Sequence, residues 1–178
     1  MTQLATRDDF GVLTEPGTLA IRRILPGPIE RIWSYLVDSD LRRQWLAAGE
    51  MELKVGAPFK LTWHNKELSD SPGNRPEDFG EEHSMESEIT ELDPPRRLAF
   101  SWGKTGGVTF ELESRGEDVL LTITHRRIAD RSTMLNIGAG WHAHLDVLAA
   151  RAAGQSLSTP FWDHWSGLKA EYDRRLPA

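Results

Sequence analysis

Six histidines, at positions 64, 83, 125, 142, 144 and 164, are the side chains of this chain best suited to acid–base or metal chemistry near neutral pH. His142 and His144 are two apart, so on a helix they point about 200° from one another and cannot share a metal ion. No His-x-x-x-His or His-Glu-x-x-His spacing occurs, and cysteine is absent, so no metal site and no thiol nucleophile is expected. His125 shares one face of a strand with Val119, Leu121 and Ile123, which points its ring inward. Two readings follow: a core histidine satisfied by its neighbours, or a polar group inside a pocket that orients a ligand or moves a proton. Glu86 and Glu88 alternate with Met85, Ser87 and Ile89; if the apolar set faces the core, both carboxylates are solvated. The reverse register would bury a carboxylate near His125 and make it a catalytic candidate. Ser34, Ser84 and Ser101 lie in no nucleophile elbow, and no Gly-rich phosphate loop is present. No residue is therefore assigned a catalytic role, and no cofactor is implied.

The aromatic residues are the second resource. Seven Trp stand against two Tyr in 178 residues. Periodicity turns Trp45, Phe59, Trp63, Trp102, Phe110 and Trp141 inward, where they either fill a core or form flat walls suited to an aromatic or polycyclic ligand.

These residues need elements to position them. Residues 1–17 read as a polar arm ending in the turn Glu15-Pro16-Gly17, followed by a strand over Thr18–Ile24 whose alternation slips at its end. Pro28 opens a helix striped by Ile29, Ile32, Trp33 and Leu36, and Asp38 or Ser39 caps a second short one. Met51–Val55, Phe59–Trp63, Met85–Leu92, Arg97–Trp102, Val108–Leu112 and Val119–His125 alternate as strands, with a long polar loop over 65–82. Trp141, Leu145, Leu148 and Ala152 stripe a helix over 140–152, started by Gly138-Ala139-Gly140 and stopped at Gly154. Thr159 caps another, over 160–176, whose stripe is Phe161, Trp165, Leu168, Tyr172 and Leu176. Trp162 adds apolar surface to that helix, enough for a homodimer contact.

The order predicts a single α+β domain over 1–178, with an arm at 1–17 and a core at 18–152. Its architecture is a helix grip, in which a curved six- to seven-stranded antiparallel sheet wraps a C-terminal helix. Net charge of −6 argues against nucleic-acid binding, and no stretch has the roughly 20 apolar residues of a membrane span. The N-terminus lacks a signal-peptide pattern, and with no disulfides the expected location is cytoplasmic.

The segments Arg23–Trp33, Trp45-Leu46, Leu92–Trp102, Leu121–His125 and Gly140-Trp141-x-x-x-Leu145-x-x-Leu148 occur in an order that resembles the START/Bet v 1-like (SRPBCC) superfamily. Within it the chain is most similar to the domain homologous to the activator of Hsp90 ATPase, over roughly residues 18–152. The resemblance implies a pocket between sheet and C-terminal helix for a small hydrophobic ligand, lined here by Trp63, Trp102, Phe110, His125, Trp141 and Leu145. The loop at 65–82 and the helices at 28–46 would gate it. Relatives on this scaffold also include cyclases, dehydratases and hydrolases, which keeps an enzyme acting through His125 open, and stress-related co-chaperone domains, which keeps an interaction role open. The eukaryotic activator resembled here has an N-terminal domain that contacts the chaperone; none is seen in this sequence, which counts against direct activation of Hsp90 and makes a chaperone partner doubtful.

Overall fold

The computed structural model describes residues 9–69, 73–76, 82–157 and 159–176. Strands β1 (Val12–Glu15) and β2 (Thr18–Pro26) form a hairpin across the turn at Pro16-Gly17. Helices α1 (Ile29–Val37) and α2 (Ser39–Arg43) follow, then β3 (Pro58–Trp63), a 3-10 turn (Asn65–Glu67), and β4 (His83–Asp93), β5 (Arg97–Trp102), β6 (Gly106–Arg115) and β7 (Asp118–Arg126). Helices α3 (Arg131–Ala152) and α4 (Phe161–Arg175) complete the chain. All neighbouring strands are antiparallel, in the order β1-β2-β7-β6-β5-β4-β3. This is the α+β helix grip, with seven strands. The parts of the 65–82 loop at 70–72 and 77–81, and residues 1–8 of the arm, lie outside the described residues.

Period-two alternation decides which side chains reach the core. On β7, Val119, Leu121, Ile123 and His125 are buried. On β5, Leu98 and Phe100 are buried, with Trp102 partly covered at the strand end. On β4, Ser87 and Ile89 are buried while Glu86 and Glu88 are exposed, which places both carboxylates in solvent. Strand β2 keeps its alternation throughout: Leu19, Ile21, Arg23 and Leu25 are all buried. The expected slip at Ile24 arises because Arg23 occupies an inward position, held by Asp146 of α3 through Nη2 at 2.9 Å.

Four elements differ from the sequence expectation. Val12–Glu15, read as part of the polar arm, is strand β1 and pairs with β2. Met51–Val55 forms no strand, and Leu53 and Val55 are exposed. The segment turns on itself instead, with the Lys54 N–H on the Glu52 carbonyl and the Ala57 N–H on the Lys54 carbonyl, while Gly56 and Ala57 bond to Ile89 of β4. Helix α3 begins at Arg131, capped by the Asp130 carboxylate on the Thr133 N–H, so Gly138 and Gly140 lie inside it. A β-carbon at Gly138 would sit 3.3 Å from the Tyr172 ring, so the missing side chain is what lets α4 pack close to α3. Thr159 does not cap α4; Pro160 holds that position, and Ser69 Oγ accepts the Phe161 N–H at 2.8 Å. Helix α4 packs on α3, and its Phe161, Trp162, Trp165 and Tyr172 are buried. Among the described residues no helix is long and apolar enough to cross a membrane.

Candidate functional site

A cleft of about 420 Å³ lies between the β3–β4–β5 end of the sheet, the middle of α3 and the first turns of α4. Alternation along β3 brings Phe59, Leu61 and Trp63 inward, and Trp63, last on its strand, is left at the rim. Trp102 holds the equivalent end position on β5, and the two rings meet edge to face at 5.6 Å. From α3, Asn136, Gly140 and His144 recur every four residues, with Ile137 and Trp141 beside them. Phe161, Trp162 and Trp165 close the other side, and Leu46, Asn65 and His83 complete the wall. Five of the seven tryptophans therefore face one space; Trp33 and Trp45 do not line it.

Leu46 owes its position to a buried guanidinium. Arg42, 1% exposed, donates to the carbonyls of Leu36, Ala47 and Gly49, tying the end of α1 to the segment that leads into β3. Burial pushes its pKa down to about 10, which still leaves it charged at neutral pH.

Of the six residues expected around a ligand, Trp63, Trp102 and Trp141 line this cleft. Phe110, His125 and Leu145 lie behind it, at 1%, 2% and 0% exposure. Phe110 meets the Trp141 ring at right angles with centroids 5.8 Å apart. His125 accepts the Trp141 indole N–H on Nδ1 at 2.9 Å and lies 4.9 Å from the Trp102 ring. It supports two wall residues from the sheet side. Burial, aided by the nearby Arg126 charge, pushes its pKa down to about 4, so the ring is neutral at physiological pH.

The polar groups that line the cleft were not among the six residues expected around a ligand. His144 is 6% exposed, with Nδ1 2.8 Å from the Trp45 carbonyl; burial pushes its pKa down to about 4 against a smaller opposing effect of that hydrogen bond. The side-chain oxygens of Asn65 and Asn136 are buried with no protein partner, a situation that costs about 1–3 kcal/mol per group when left unmet. The four-residue recurrence of Asn136, Gly140 and His144 was the available signal, and it becomes visible once α3 is started at Arg131. Among the described residues, no group of three His, Cys, Asp or Glu could hold a metal ion.

A helix-grip domain with an aromatic cleft against its long helix defines a class of ligand-binding and cyclase-type scaffolds. The model of activator of Hsp90 ATPase homolog 1-like proteins matches residues 26–153, and the chain belongs to that family. The solution structure of the protein encoded by gene BPP1335 of Bordetella parapertussis is 38% identical, covering 96% of this chain and 92% of its own, with a TM-score of 0.78. CalU16 of Micromonospora echinospora is 22% identical over 91% of this chain and 92% of its own, with a TM-score of 0.65. DynU16, from the dynemicin biosynthetic locus, is 18% identical over 82% of this chain and 51% of its own, with a TM-score of 0.64; these last two show likeness of fold. No curated protein matches the chain.

Proposed function

We propose that this protein binds a small, flat, apolar ligand in the cleft between the sheet end, α3 and α4. The observation that carries the reading is the convergence of Trp63, Trp102, Trp141, Trp162 and Trp165 on one open space of about 420 Å³. That volume falls within the range of small-molecule sites, and indole faces offer dispersion and stacking surface with little conformational entropy to lose. A protein needing only a core would gain more by closing the space, since packing to crystal-like density is the norm.

Binding is favoured over acid–base catalysis by the state of His125 and His144, the buried histidines behind and within the cleft wall. Both are neutral, and with pKa values near 4 both are weak proton acceptors at pH 7. His125 lies behind Trp141, away from the wall that a ligand would touch.

The test is a thermal-shift and calorimetry screen of neutral aromatic compounds of two to four fused rings. A stoichiometric binder at one hundred times its Kd should stabilise the protein by about 2.7 kcal/mol. Absence of any stabilisation across such a panel would remove the reading.

A further inference from the structure

We propose that the cleft selects uncharged aromatic ligands bearing a hydroxyl or N–H donor, and that the donor binds Nε2 of His144. This rests on the reading of the cleft as an aromatic-ligand site and names the chemistry that the site prefers. No Asp, Glu, Lys or Arg lines the cleft among the described residues. A carboxylate or ammonium entering it would lose its water and find no counter-charge.

His144 supplies the polar anchor by geometry. The Trp45 carbonyl can only accept, so the Nδ1 facing it at 2.8 Å carries the proton. The neutral ring then has its lone pair on Nε2, which makes no hydrogen bond among the described residues. Burial keeps the ring from protonating at physiological pH, so the lone pair stays available. Gly140 lies one turn earlier on the same face of α3, and a β-carbon there would meet nothing closer than the Trp165 indole nitrogen at 4.0 Å. The space in front of His144 is thereby kept open. Asn65 and Asn136 also line the cleft, and each has a buried side-chain oxygen without a protein partner.

The test compares 2-naphthol, 2-methoxynaphthalene and 2-naphthoate by calorimetry on the full chain. These share a ring system and differ in donor and charge. With the donor paired to His144, 2-naphthol should bind about 10-fold tighter than its methyl ether, and the anion should bind weakest. His144→Phe should bring the two neutral ligands to near-equal affinity while retaining the ether. The ring nitrogen ¹⁵N resonance of His144 Nε2 should move on adding 2-naphthol and stay in place with the ether; this readout, with the wild-type affinity ratio, decides the matter if the variant fails to fold. Equal affinities for naphthol and ether in the wild type, or a ratio that survives in His144→Phe, overturn the donor assignment and leave the aromatic cleft standing. Failure of all three compounds to bind overturns the cleft reading itself.

Discussion

Trp141 shows how one side chain joins core and site. Its indole N–H is fixed by His125, its edge meets Phe110 in the core, and its other surface faces the cleft. The inward direction of both residues was legible from period, because a strand and a helix each repeat on their own count. That His125 would stand behind Trp141 was not legible, since strand alternation assigns a face and not a depth. Arg23 was obscured for a related reason: a charge at an inward position looks like a break in the pattern until its partner, Asp146 on a distant helix, is known. Burial of neutral histidine also has a cost in acid. His125 and His144 titrate near 4 when folded and near 6.5 when unfolded. Between those values the unfolded chain binds more protons, so stability is full above pH 6.5 and falls as pH drops toward 4. Each histidine contributes about 3 kcal/mol to that loss. Denaturant titrations from pH 7 to 4 should show the fall, and His125→Gln, which retains an acceptor for the indole, should flatten it by about one histidine's share. Parallel curves for the two proteins would contradict this account of the buried ring.

Helix α3 carries the site's geometry through two glycines with opposite surroundings. Gly138 faces Tyr172, which is fully buried, whereas Gly140 faces the open cleft. Gly138→Leu should therefore lower stability by about 1–3 kcal/mol through overpacking. Gly140→Leu should leave the melting temperature near wild type and abolish aromatic binding by occupying the cleft. A Gly140 variant that binds ligands normally would mean that they sit elsewhere. The sequence hid this because Gly138-Ala139-Gly140 has the composition of a turn; close packing against Tyr172 of α4, rather than helix propensity, explains Gly138, and Gly140 faces the cleft. Packing of α3 on its neighbours is reinforced by Asp146, which accepts from Arg23 of β2 and lies 2.7 Å from His164 of α4. Burial pushes the Asp146 carboxyl upward, but the His164 hydrogen bond and the Arg23 and His142 charges outweigh it and hold its pKa below the usual range. Met51–Val55 alternates as a strand would, but its backbone is drawn into turns, Lys54 bonding to Glu52 and Ala57 to Lys54.

At the scale of the molecule, the grip was readable because strand count, connection length and the late apolar stripes each constrain how layers stack. The cleft was not, because a void is what remains after every side chain has been placed. Helix α4 is the element that changed its meaning: lying beyond the 18–152 core read from the sequence, it contributes Phe161, Trp162 and Trp165 to the wall. The central claim is that five tryptophans enclose a ligand site while Trp33 and Trp45 belong to the core, and the seven indole N–H groups report on it directly. Titration of a ¹⁵N-labelled sample with 2-naphthol should shift the indole resonances of Trp63, Trp102, Trp141, Trp162 and Trp165 and leave those of Trp33 and Trp45 essentially in place. Unmoved cleft indoles at saturating ligand, or shifts confined to Trp33 and Trp45, would contradict it.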